Sequence, residues 1–250
     1  MKNTGKRILT GALVSSALAG PALACEPVHS VRYQVEGMFE IRVNGVLAHF
    51  GTTSSGFLNL SDGVAQGENT VSVMFMKTQE EGYARFAVHK ACEGQLPDET
   101  PVASLELNDS DELEMTFVRD AAVAAPYPGA ETTDGEGLEE AVRALQTAVR
   151  ARDVKAVFAL HGPLLTSMEA DGAPMDKIND HVTRMLTQGD IAVADEIVIR
   201  PLMGGLAWEV SGSNYSKPVS IYLKADGGEY NWSSGTRWIY VDDAWAVLEP

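Results

Sequence analysis

Asp120-Ala121-Ala122-Val123-Ala124-Ala125-Pro126-Tyr127-Pro128-Gly129-Ala130-Glu131-Thr132-Thr133-Asp134-Gly135-Glu136-Gly137 divides the chain into halves of different period. Two prolines, three glycines and small residues without an apolar repeat make a linker, not an element. Before it, apolar residues alternate. After it, they first recur every three or four positions and then alternate again. Strands, linker, helices, strands is an α+β order, with one domain over residues 25–119, a linker over 120–137 and a second domain over 138–250.

In the first domain Val31, Tyr33 and Val35 share one strand face, and Phe39, Ile41 and Val43 repeat the pattern. Asn44-Gly45 then supplies a tight turn, because both residues tolerate positive φ. Val71, Val73 and Phe75 alternate, as do Leu105 with Leu107, and Leu113 with Met115 and Phe117. Ser61-Asp62-Gly63, Gly67-Glu68-Asn69, Pro97-Asp98 and Asn108-Asp109-Ser110 punctuate them. Many short strands without a helical stretch predict an antiparallel β-sandwich. Phe39 to Gly45, Leu58 to Leu60 and Gly67 to Val73 resemble the jelly-roll modules attached to many glycoside hydrolases, with their strand ending in Asn-Gly and their Gly-x-Asn-x-Val strand opening. That resemblance implies a jelly-roll-like sandwich and an accessory sugar-binding role.

Beyond the linker, Leu138, Ala141, Val142, Leu145, Ala148 and Val149 make one stripe of an amphipathic helix of about four turns. Asp153 stands where an N-cap belongs, ahead of a shorter helix carrying Val154, Val157 and Phe158 and stopped at Gly162-Pro163. A third helix opens at Pro174, buries Met175, Ile178, Val182, Met185 and Leu186, and ends at Gly189. Strands are predicted over Ile191 to Ile199, Leu206 to Val210, Val219 to Lys224 and Thr236 to Val241. The last turns at Asp242-Asp243 into Ala244 to Leu248. The opening helix running into Val149-Arg150-Ala151-Arg152-Asp153-Val154-Lys155-Ala156-Val157, with the closing hairpin Trp238 to Val247, resembles the NTF2-like (cystatin-like) superfamily. The resemblance implies a curved antiparallel sheet wrapped around helices. In that superfamily carboxylates, histidines or tyrosines line a cone-shaped pocket.

The N-terminus sets the address. Lys2, Lys6 and Arg7 form a basic front, Ile8 to Leu18 a short apolar run, and Ala22-Leu23-Ala24 a small-residue cleavage site. Residues 1–24 read as a secretory signal peptide, and the expected location is the periplasm. Cys25 and Cys92, the only cysteines, pair most simply as a disulfide in an oxidising compartment. The alternative is a lipid anchor on Cys25; Ala22, where lipoprotein signals usually carry leucine, favours the disulfide. No later segment is apolar enough for long enough to cross a bilayer. Without residues 1–24, which hold three basic and no acidic residues, the formal charge of −16 becomes −19. Such a surface repels nucleic acid and anionic headgroups, leaving a small molecule or an envelope protein as the partner.

Chemistry-bearing motifs are sparse. Asp195 falls in phase with Ile191, Val193, Ile197 and Ile199, which would set a carboxylate on an apolar strand face as a proton donor or acceptor; a bulge or edge would return it to water, the favoured reading. His181 lies at the edge of the third helix's apolar face, and His161 beside Gly162-Pro163 is expected to be exposed. No dyad emerges, so no catalytic residue is assigned. The five histidines show no metal-ligand spacing, and Met74-Phe75-Met76 has no partner ligand nearby, so neither metal nor cofactor is expected. All four tryptophans fall in the second domain, with Tyr215, Tyr222, Tyr230 and Tyr240. Trp238 and Tyr240 share a strand face and Trp208 lies nearby in sequence. The binding candidates are therefore Trp208, Trp238, Tyr240, Asp195 and His181. The leading reading is a non-catalytic binding protein. An acid–base enzyme using Asp195 or His181, and a sugar-binding accessory protein, are its alternatives.

Overall fold

The computed structural model describes residues 27–249 apart from 62, 93–97, 214 and 226–227. The signal peptide and Cys25, with the lipid-anchor alternative, lie outside the described residues.

The N-terminal half contains eight strands: β1 Pro27–Val35, β2 Met38–Val43, β3 Val46–Gly51, β4 Ser54–Asn59, β5 Gly67–Met76, β6 Ala84–Cys92, β7 Ala103–Leu107 and β8 Asp111–Arg119. They form two antiparallel sheets, in the orders β4-β1-β6-β7 and β3-β2-β5-β8. The alternation in the sequence becomes a two-sided arrangement. Val31, Val35, Phe86 and Val88 of one sheet meet Phe39, Ile41, Val43, Val73 and Phe75 of the other in a single core. Leu113, in phase with Met115, nonetheless stays exposed.

Asn44 and Gly45 both have positive φ, 50° and 83°, as a two-residue hairpin between β2 and β3 requires. The Asn44 side chain accepts from the Thr70 amide at 2.9 Å and donates to Asn69 Oδ1 at 2.8 Å. Asn69 is buried, and it also bonds both backbone polar groups of Ala65. The two asparagines behind the jelly-roll resemblance thus knot two turns together, and that role uses their polar atoms inside the fold.

The C-terminal half begins with four helices: α1 Leu138–Arg150, α2 Val154–Leu160, α3 Gly162–Ala170 and α4 Met175–Gln188. Seven strands follow: β9 Asp190–Val193, β10 Val198–Leu202, β11 Ala207–Ser211, β12 Val219–Ala225, β13 Gly228–Ser234, β14 Arg237–Val241 and β15 Ala244–Glu249. They pair antiparallel in the orders β10-β11-β14-β15 and β13-β12-β9. Leu138, Val142, Leu145 and Val149 of α1 are buried against Trp238, Val247 and Ile221. Asp153 caps α2 by accepting from the Ala156 amide at 3.0 Å. Arg152, at a positive φ of 57°, donates to the carbonyls of Leu186 and Gly189 and so closes the end of α4.

Two expectations are corrected. Gly162-Pro163 does not end helical structure: Pro163, in the first turn where no amide donor is needed, opens α3. The strand expected over Ile191 to Ile199 is two strands, because the chain changes sheets there; β9 pairs with β12 and β10 with β11. Asp195 falls in the bend between them and is exposed. A strand not read from the sequence, β13, lies between β12 and β14 in the chain.

Residues 120–137 hold no helix and one isolated bridge, Glu131 to Tyr240. They lie along the C-terminal half. Trp208 donates to Thr133 Oγ1 at 3.1 Å and Trp245 to the Glu136 carbonyl at 2.9 Å. Gly135 has a φ of 86°, and a Cβ there would stand 2.8 Å from the Trp208 ring. A third apolar cluster joins the halves: Val46 of β3 packs with Leu202, Ala207, Ile239, Val241 and Ala246. The sheet β10-β11-β14-β15 therefore buries both faces, one under the helices and one against the N-terminal half.

Candidate functional site

The five binding candidates do not come together. Trp238 is fully buried with its indole N–H bonded to the Gly235 carbonyl at 2.7 Å, and Trp208 is 8% exposed. Both belong to the core beneath α1. Tyr240 is half-buried with its ring 5.3 Å from Trp245. Asp195 stands in its exposed bend. Tyr240 borders an open cleft of about 560 Å³ beside Thr132, Thr133, Asp134 and Glu136, and His181 lines a more enclosed, apolar cavity.

That cavity, about 340 Å³, lies between α2, α3, α4 and β13. Val157 and Phe158 contribute from α2, Leu164, Leu165 and Met168 from α3, Ile178 and Val182 from α4, and Trp232 from β13. His161, Lys177 and His181 are its polar members. Each wall follows from local sequence. The α4 stripe that buries Val182 and Met185 carries Ile178 and His181 at its margin. On β13, Trp232 is set inward while Tyr230 beside it is 36% exposed. The volume falls in the range of small-molecule sites, and the lining has their mostly apolar character.

His161 was expected at the surface, and the structure corrects this: it is 4% exposed. Its Nδ1 lies 2.7 Å from the Val157 carbonyl, which can only accept, so Nδ1 carries the proton. Nε2 then accepts from the Ser234 hydroxyl, itself fully buried. Desolvation holds the His161 pKa below the ordinary imidazole value, with the Val157 bond opposing. The ring is a neutral tie between the end of α2 and β13. Both nitrogens are committed, so the serine–histidine contact presents no free base to the cavity.

His181 packs against Tyr230, ring centroids 6.3 Å apart, and the Arg184 guanidinium lies 5.2 Å from the centre of the same ring. A second cavity, about 490 Å³, opens between the halves along β3, β4 and β11. There Tyr215 is held between Arg42, 5.5 Å from its ring centre, and Arg200, at 5.2 Å. Arg200 also pairs with Glu209 at 3.3 Å.

Among the described residues no three His, Cys, Asp or Glu side chains gather into a metal-binding group, and no helix is long and apolar enough to cross a membrane. No protein-family model matches the chain, and no curated protein or solved structure matches it.

Sequence reasoning missed α3 and Trp232 as parts of the site. Reading Pro163 as a first-turn residue would have put Leu164, Leu165 and Met168 on one helix beside α2. Tyr230 and Trp232 alternate as strand residues do, but the glycine, asparagine and serines among them mask the pattern.

Proposed function

We propose that this chain is an exported, non-catalytic binding protein that holds the apolar part of a small molecule in the cavity beneath α3. The observation that carries the reading is a cavity of about 340 Å³ walled by eight apolar or aromatic side chains on four elements. In this reading the N-terminal half is a jelly-roll-like sandwich and the C-terminal half an NTF2-like domain. Two sheets around one core support the first, and helices packed on antiparallel sheets support the second. The Cys25–Cys92 disulfide belongs to the same proposal. Pro27 stands opposite Cys92 in the β1–β6 register, two residues from Cys25. The commitment of both His161 nitrogens, and an Asp195 that is exposed in a bend and does not line the cavity, favour binding over acid–base catalysis.

Native mass spectrometry of protein purified from its own host's cell envelope tests the cavity. The expected result is a retained small-molecule mass that disappears in Leu165→Trp, which fills the cavity from a half-buried position. A bare chain, or an adduct indifferent to that substitution, overturns the reading.

A further inference from the structure

Resting on the cavity reading above, the polar groups at its margin narrow the occupant. Lys177, His181 and Arg184 are spaced four and three residues apart on α4, so they form one stripe along the helix. Lys177 and His181 line the cavity, and Arg184 is joined to them through the Tyr230 ring, which both His181 and Arg184 contact. Lys177 and Arg184 are exposed. Among the described residues neither has a carboxylate within ion-pair distance, although Asp176 and Asp180 stand on the same helix.

Arg200, Arg143, Arg85 and Lys224 each have a carboxylate within ion-pair distance, whereas Lys177 and Arg184 have none among the described residues although the chain carries 35 acidic residues against 19 basic ones. Lys177 on the cavity wall, with Arg184 two turns further along the same helix stripe, sets positive charge beside an oily opening. A neutral apolar ligand would gain nothing from that charge. A ligand with an anionic head on an apolar tail would use both parts, with head outside and tail inside.

We infer that the cavity takes a single-tailed amphiphile with an anionic head. The tail lies among Val157, Leu165 and Trp232, and the head is held at the rim by Lys177 and Arg184. A carboxylate and a phosphate monoester share this chemistry, and their affinities tell them apart.

Calorimetric titration of the purified protein with decanoate, decyl phosphate and decanol, each below its aggregation threshold, tests the inference. At least one anion should bind about tenfold or more tighter than decanol. That advantage should collapse in the double variant Lys177→Ala/Arg184→Ala, whose exposed positions leave the core intact, and should shrink with added salt. The tighter anion names the head. Equal affinity for decanol and both anions, or an advantage that survives in the double variant, overturns the anionic head and leaves the apolar cavity standing. Failure of all three to bind, or binding unchanged in Leu165→Trp, overturns the cavity as well.

Discussion

His29 sits 2% exposed against the Phe117 ring, 4.7 Å between centroids, with neither ring nitrogen bonded to any described protein group. Leaving buried polar atoms unpaired costs about 1–3 kcal/mol. A phenylalanine keeps the ring contact without the polar atoms, and a small cavity of about 120 Å³ beside His29 gives room for the extra atom. His29→Phe should therefore raise stability by roughly 1 kcal/mol, seen as a later urea midpoint. The pH dependence follows from the same burial. Desolvation, then the charges of Arg119 and Lys90, lowers the His29 pKa, and desolvation lowers that of His161. As pH falls, the unfolded chain takes up these protons first. The stability gained from keeping both rings neutral is complete above their ordinary value of 6.5 and is lost below it, towards the folded pKa. Urea midpoints between about pH 8 and about pH 5 should show this loss, and His29→Phe should make it shallower. An equally steep loss in the variant would rule out a contribution from His29.

Among the helices, α3 is the one with no buried residue, although Leu164, Leu165 and Met168 are apolar. By contrast, α1 and α4 bury whole stripes. Local opening is cheapest where few apolar contacts are lost, so the α3 amides should exchange with solvent faster than those of α1 and α4. Hydrogen exchange resolved by helix checks this, and protection of α3 equal to that of α1 would contradict it. The same contrast explains which elements could be read in advance. α1 and α4 have clean periodic stripes because each faces a closed core. α3 faces a cavity, so its apolar residues answer to no single packing surface, and its Gly-Pro start imitates a stop. The break at Asp195 was unreadable for a different reason. The apolar phase resumes beyond Asp195 at Ile197 and Ile199, while the bend beside it is tied down from a distant helix by Gln146, whose amide donates to the carbonyls of Ala194 and Pro218. A side chain that far away leaves no mark on the local pattern.

At the scale of the whole molecule, the aromatic and aliphatic β14 strand was legible as having two apolar faces, but not what covers them. The second face meets the protein's own N-terminal half through Val46, which is 6% exposed. A charge there would sit unpaired against Leu202, Ile239 and Val241. Val46→Asp should therefore part the halves while leaving the cores of each intact, so that calorimetry shows two separated thermal transitions in place of a coupled one. One unchanged transition would mean that the seam contributes nothing to cooperativity. The tryptophans carry a last consequence. Trp208, Trp238 and Trp245 sit in the core with indole N–H groups bonded to fixed oxygens, whereas Trp232 stands on the cavity wall. Three of the four chromophores thus give a steady background, and the fourth is an optical gauge already installed: light emitted by the unlabelled protein should change when the cavity fills and hold constant when it does not.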